Sequence, residues 1–436
     1  MREAIERWVD DHRDYILAFT KALVSIPSEN RYPSGDEKQV QMFLFRYLGA
    51  LDCETDLFLP TDVPGLTEHE GYLGGRDYRD RPNVVGRRKG AGGGRSLLFS
   101  GHVDTVPRGD DPWTVDPFGG IVKDGRQYGL GLFDMKGGMA AAILALELLR
   151  ELNVTLLGDV LVETVVDEEY GGANGTLACR LRGYEADLAI VPEPSNLAIC
   201  PAHQGGSMFR IVFEGRAGRA FSGETLVNPV FAAARFLDIF REYERYHAAK
   251  RSSSPWFAAD PGPPAYVQGV RAGPAHLPLT DRVPSSCSID VWIQCYPGTT
   301  EEELRCDFEA FCLERAAGDE LLRSMPPIIQ KLIRFLPGTE IPSGHPALDV
   351  LAETARELHP GGLPVQGAPF ACDAFVFHRY SRTPCIIWGP KGGNAHAADE
   401  YIDVEAFFLL VKLYALTIVQ WCGVAAIGRP RRTDRG

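Results

Sequence analysis

Five side chains of this chain stand out as candidate metal ligands: His102, Asp134, Glu169, Glu193 and His396. His102 follows the apolar run Leu97–Ser100, and Asp104 stands two residues on. Asp134 closes an apolar-then-glycine stretch. The run Asp159–Val166 ends in Asp167-Glu168-Glu169, and Asp187–Val191 ends in Pro192-Glu193-Pro194. His396 sits in a Gly-rich loop far along the chain. Two imidazoles and three carboxylates suit Zn²⁺, with Co²⁺ or Mn²⁺ as substitutes. Five protein ligands are too many for one open catalytic zinc. They suit two metals sharing one carboxylate. Asp104 is then expected to accept the other ring N–H of His102. Glu168, beside a ligand but diverging from it, is the natural general base for the water. Singly, each residue has a plain explanation: a packed histidine, a helix N-cap, a solvated acidic turn, a rigid Pro-flanked turn. Jointly, at successive strand ends, they point to a metal.

The elements that must place them alternate strand and helix. Residues 3–25 carry Ile5, Trp8, Val9, Ile16, Phe19 and Leu23 on one face and predict a helix. Residues 60–94, rich in Gly, Pro and charge, read as a long loop with one short strand at 83–86. The segment after Asp134, MKGGMAAAILALELLREL, is strongly helical. Strands alternating with helices predict a mostly parallel sheet, and ligands of such sheets sit beyond the strands' carboxyl ends. After His203 the pattern changes. Strands at 208–217, 266–271, 285–296 and 327–335 and helices at 228–249 and 299–317 give the order βαββαβ, a ferredoxin-like module. The second of those helices opens on a capping box, Thr300 with Glu303. The fold class expected is therefore α/β: a catalytic domain of residues 1–205 and 338–436, with an inserted domain at 206–337. A helix over 345–358 and a strand over 384–388 continue the catalytic part.

The whole has 436 residues, with 45% hydrophobic and 24% charged residues, ordinary for a globular protein. The net charge of −13 argues against nucleic acid or an anionic membrane as partner. Ten cysteines without a CxxC pair are expected to be free thiols in a reducing cytoplasm. The N-terminus lacks a signal peptide's apolar core. The apolar window 404–424, with Lys412 in its middle, reads as a buried helix, and the basic tail GRPRRTDRG as a disordered end.

SGHVDTVP, then Trp113 to Phe118, then Gly129 to Gly138 with its DMKGG, and later DEEYGG, VPEPS and GGNAHAADEYI occur in one order. In that order they resemble the dinuclear-zinc aminoacylase/carboxypeptidase family, which includes acetylornithine deacetylase, succinyl-diaminopimelate desuccinylase and glutamate carboxypeptidase. The resemblance spans nearly the whole chain. It implies a zinc-peptidase-like catalytic domain, and that His102 and Glu193 hold one zinc, Glu169 and His396 the other, and Asp134 both, across a cis peptide to Met135. It implies that Asp104 orients His102, that Glu168 is base and then acid, and that Asp373 supports the site. Gly392 and Gly393 are taken with the substrate side. The inserted domain would be a lid and homodimer surface. The implied activity is hydrolysis of an amide in an N-acyl amino acid or small peptide derivative. A biosynthetic variant and a metal-binding protein without catalysis are the competing readings.

The lid motifs depart from the family. Where a histidine would reach a substrate oxyanion, the turn Gly215–Ala220 has Arg219. Asp281-Arg282-Val283-Pro284 replaces an Asn-containing step, and Gln294 or Trp292 stands where an arginine is common. Arg219 could donate to an oxyanion or a carboxylate in the histidine's place. His203, at the entry to the inserted domain, is a second candidate donor, with hinge packing as its plainer role.

Overall fold

The computed structural model describes residues 1–172, 174–219, 225–273 and 282–428. It forms two compact units. One comprises Met1–Ala202, Glu340–Ala368 and the chain from Cys372 onward; the other comprises His203–Thr339 with Pro369–Ala371.

The first unit is built on a nine-stranded mixed sheet. Its middle is parallel: Cys385–Ile387, Leu188–Val191, Leu97–His102 and Val160–Val165 lie side by side in that order. The last three of these strands are buried along their whole length; Leu188–Val191 is wholly apolar, and the other two open on apolar runs, Leu97–Phe99 and Val160–Val162. Asn83–Arg88 and Glu54–Phe58 extend one side antiparallel. Ile199–His203 pairs antiparallel beyond Cys385–Ile387. The carboxyl ends of the parallel strands deliver His102, the 167–169 turn and Glu193 to one edge.

Helices cover the sheet. Gly137–Glu151 is buried along nearly all its length because its Ala-rich sequence lets it lie close to its neighbours. Val404–Cys422 packs on it and on Pro346–Leu358. Val404–Cys422 is the one described helix long and apolar enough to cross a membrane, and 72% of its apolar window is buried inside this unit. Residues 3–25 do not form one helix. Arg2–Asp11 and Arg13–Val24 meet at His12 (φ −118°, ψ 22°), whose ring stacks on Trp8 and whose Nδ1 bonds the Trp8 carbonyl at 2.7 Å. A small antiparallel sheet joins Gly392–Gly393, Tyr401–Asp403, Arg126–Tyr128 and Ile121–Lys123. Nothing in the sequence announces it, since its strands have two or three residues each.

The second unit is a four-stranded antiparallel sheet in the order Ala265–Ala272, Ser286–Cys295, Gly205–Glu214, Ile328–Lys331. Helices Pro229–Ala248 and Glu301–Gly318 pack against it around Phe209, Ile211, Phe213, Phe236 and Phe308. This is the ferredoxin-like order. Thr300 and Glu303 form the capping box. The last strand is shorter than the expected 327–335. Asp281 and the tail beyond Gly428 lie outside the described residues.

Candidate metal centre

Asp134 is the point on which the two histidines converge. Its Oδ1 lies 3.2 Å from His102 Nε2 and its Oδ2 3.1 Å from His396 Nε2. Glu169 Oε2 is 3.0 Å from the same His396 nitrogen. On the other side, Glu193 Oε1 is 3.8 Å and Glu168 Oε2 3.9 Å from His102 Nε2. Ligand atoms of His102, Asp134 and Glu169 lie within 4.8 Å of one another, as do those of His102, Glu168 and Glu193. Neighbouring side chains diverge, as expected: Glu168 faces His102 and Glu169 faces His396.

Local backbone explains each placement. His102 is the last residue of its strand. Around Asp134 the chain leaves helical geometry (φ −120°, ψ 93°), its peptide to Met135 is cis, and the helix starts only at Gly137. Two glycines flank the main chain that carries Glu193. A Cβ on Gly138 would meet the Pro192 carbonyl oxygen at 2.2 Å, and one on Gly389 would meet the Glu193 carbonyl oxygen at 2.1 Å. His396 has φ 60°, a left-handed conformation that costs a non-glycine residue about 1–3 kcal/mol. Its loop is closed by Asn394 Nδ2, which donates to the carbonyls of Ala398 (3.3 Å) and Asp399 (3.1 Å).

Asp104 acts differently from the expectation. His102 Nδ1 bonds the main-chain carbonyl of Asp104 at 2.8 Å, and the carboxylate lies 3.7 Å away. That carboxylate instead accepts the main-chain N–H groups of Glu168 (3.2 Å) and Glu169 (3.1 Å) and the Asn30 amide (2.9 Å). The acidic turn offers N–H donors that no strand partner can take, so the nearest buried carboxylate takes them. Asp167, at φ 67°, is held beneath the turn by Tyr78 (2.7 Å), Arg76 (3.1 Å), Asn30 (3.0 Å) and Arg81 (3.3 Å). Arg76, Tyr78 and Arg81 come from the 60–94 stretch, so that loop supports the site. Arg81 is fully buried and also pairs with Glu37 at 2.6 Å. Burial pushes the Glu37 carboxyl up to about 7 even with this partner. Arg81→Ala leaves Glu37 buried without its cation and takes one of two from Asp167, which keeps Arg76 at 3.1 Å. It is expected to cost about 3–5 kcal/mol, read as a lowered urea midpoint.

The charges are unbalanced without a cation. Burial raises the carboxyls of Glu168, Glu169 and Glu193, and each is raised further by a neighbouring acid: Asp373 for Glu168, Asp134 for the other two. Burial opposes charge on His102, but the Asp134 hydrogen bond and the surrounding acids hold it well above its ordinary value. His396 is pushed up to about 12, first by the charge of Glu169. Asp134 is held below the usual carboxylate range against its burial, through its bonds to both imidazoles. Protons on the imidazoles thus supply the positive charge that the carboxylates need. Divalent ions fit this donor set because they would replace those protons. With the imidazoles and the Glu169 and Glu193 carboxyls all holding protons more tightly than usual, ion binding releases protons. Apparent affinity is expected to rise with pH and to weaken as pH falls, checked by a pH series of ion titrations.

The pattern of a peptidase family M20/M25/M40 matches residues 98–420, a span that contains every member of the cluster. The chain belongs to this family. It is an M20 hydrolase, a metal-dependent enzyme acting on amide bonds. It is 28% identical to the N-formyl-4-amino-5-aminomethyl-2-methylpyrimidine deformylase of Bacillus subtilis strain 168, over 96% of this chain and 97% of that one. Human carnosine dipeptidase 1 shares the fold with a TM-score of 0.75 at 15% identity, covering 97% of this chain and 100% of that one. A dinuclear metal-binding M20 peptidase from Bacillus subtilis does so with a TM-score of 0.60 at 16% identity, covering 94% and 99%.

Other residues singled out in the sequence have varied places in this M20 chain. Asp373 is buried, accepts from the Thr176 hydroxyl and acts electrostatically on Glu168. Gly392 and Gly393 form a strand paired with Tyr401 and Ile402, and a Cβ on Gly392 would meet the Tyr401 carbonyl oxygen at 2.1 Å. That close approach is a structural reason for the first glycine. In the second unit, Arg219 is exposed beside the Gly218–Val283 bridge. His203 is buried, with Nδ1 2.9 Å from the Gln204 carbonyl and Nε2 2.8 Å from the Thr339 hydroxyl. Gln294 donates to Gln204 (2.6 Å) and to the Pro369 carbonyl (2.7 Å), so it serves that unit's interior. Asn30, Asp167, Arg81 and Glu400 were missed. Asp167 and Glu400 lie inside the motifs DEEYGG and GGNAHAADEYI, but nothing in the sequence tells their roles, because each acts through a main chain or a charge far away in sequence.

Proposed function

We propose that this enzyme removes a small acyl group, formyl or acetyl, from the nitrogen of a small molecule at a pair of divalent ions. The convergence of His102, Asp134, Glu169, Glu193 and His396, with Glu168 alongside, carries the reading. His102 and Glu193 would hold one ion, His396 and Glu169 the other, and Asp134 both. Zinc is the first choice, with cobalt or manganese as substitutes. Bound there, such ions polarise an amide carbonyl and make water acidic near neutral pH.

Glu168 takes the proton of the attacking water and returns it to the leaving nitrogen. Its Oε2, 3.9 Å from His102 Nε2, places it for both tasks. The Bacillus deformylase, matched over nearly the full chain, supports a formyl group. Acetylornithine, succinyl-diaminopimelate and glutamate-terminated peptide chemistries belong in the same panel, since all present an amide beside a small polar body. Arg219 is assigned to a substrate oxyanion or carboxylate. The second unit is assigned as lid and homodimer surface, its edge strand exposing Tyr266 and Val270. Ten free thiols support a cytoplasmic setting.

The deciding experiment is a panel of N-formyl and N-acetyl amines, amino acids and dipeptides. It is run on protein as purified, after chelation and after Zn²⁺ return. Hydrolysis lost on chelation and regained with zinc, strongest for one- or two-carbon acyl groups, is expected. Hydrolysis of dipeptides alone would sink the acyl assignment.

A further inference from the structure

Glu400 is a buried carboxylate, 1% exposed, that no step above uses. One of its oxygens accepts the main-chain N–H of Gly131 at 2.7 Å. The other accepts those of Phe133 (2.8 Å) and Asp134 (2.9 Å). Its own carbonyl accepts from Gly129 N at 2.9 Å. These donors belong to the segment that departs from helical geometry at Asp134 and Met135, so they lack the partners a regular helix would give them. An unpaired buried N–H costs about as much as a lost hydrogen bond, and one side chain answers three of them.

Glu400 also lies four residues after His396, in the same closed loop. Asp399 at its shoulder accepts from Thr114 N (2.8 Å) and Oγ1 (2.9 Å). Directly after Glu400, Tyr401–Asp403 pairs with Arg126–Tyr128, which leads into the Asp134 segment. The residue is therefore a covalent neighbour of one candidate ligand and the hydrogen-bonded anchor of another.

We propose that Glu400 is a positioning residue that fixes Asp134 and His396 relative to each other, so that the ion site between them is assembled before an ion arrives. This rests on the two-ion reading given above. Glu400 touches neither ion nor substrate. Its contribution is to the main-chain position of Asp134, and it falls mainly on the ion held by His396 and Glu169, because both chain segments that Glu400 joins contribute to that site.

Glu400→Gln keeps the shape but offers one oxygen and one NH₂ group to three donors. In ion-free protein, the amides of Gly131, Phe133 and Asp134 are expected to exchange with solvent at least about tenfold faster, with Ala189, Ile190 and Val191 unchanged. In a competition titration with a chromogenic chelator, one Zn²⁺ equivalent, the one also lost in Glu169→Gln, is expected to lose about 10- to 100-fold in affinity while the other is retained. Glu400→Asp, with a shorter carboxylate, should fall between the two. Wild-type exchange and wild-type Zn²⁺ binding in Glu400→Gln would overturn the proposal. So would faster exchange spread evenly over the core strands, which is the mark of a merely structural residue. Failure of the two-ion reading shows itself separately, as wild-type protein that takes up no Zn²⁺. The exchange arm, which needs no ion, still decides whether Glu400 sets the Asp134 backbone.

Discussion

Glu168→Gln is expected to lower kcat by about 10²- to 10⁴-fold, the usual worth of a positioned general base, while both ions stay bound. The amide has the size of the carboxylate and leaves the turn's main-chain bonds to Asp104 in place, but it cannot accept the proton. The neighbouring change gives the contrast. Glu169→Gln removes a charge 3.0 Å from His396 and should release the ion on that side. Two adjacent glutamates thus separate by readout: activity without ion loss for the first, ion loss with activity for the second. Metal analysis beside a single-turnover assay distinguishes them. A Glu168→Gln protein that turns over normally would remove Glu168 from the reaction.

Asp134→Ala is expected to have the largest effect on ion content. One carboxylate faces both imidazoles, at 3.2 and 3.1 Å, so its loss weakens both sites together. Metal analysis after dialysis should give fewer than one ion per chain, and activity should fall below detection even at high zinc. The fold should persist, because the main-chain bonds from residues 131, 133 and 134 to Glu400 do not involve this side chain. An Asp134→Ala protein with full ion content would show that the histidines and glutamates suffice alone, and the shared-carboxylate assignment would be lost.

The strand ends carrying His102, Glu168, Glu169 and Glu193 were legible in the sequence because each of these buried parallel strands opens on a short apolar run that gives way to histidine or acidic residues. The ferredoxin-like order of the second unit was legible for a related reason. Its strands and helices are long, and Thr300 with Glu303 marks a helix start. The 60–94 stretch was not. Its Gly, Pro and charge suggest a solvated loop, yet Tyr78 and Arg81 are buried because Asp167 and Glu37, distant in sequence, supply their partners. The role of the Asp104 carboxylate was misjudged for a geometric reason. Two residues of spacing place its carbonyl, rather than its side chain, against His102. The break at His12 was hidden because the apolar periodicity runs straight through it.

The parallel core carries a further consequence for synthesis and proteolysis. Leu188–Val191 is flanked by Leu97–His102 on one side and by Cys385–Ile387 on the other, and the second partner lies about two hundred residues downstream. Until that segment leaves the ribosome, a fully apolar strand stands at an open sheet edge, a template for pairing with other chains. A product ending before Cys385 keeps that edge for good and also lacks His396. Truncated chains should therefore accumulate as aggregates and not as smaller enzymes.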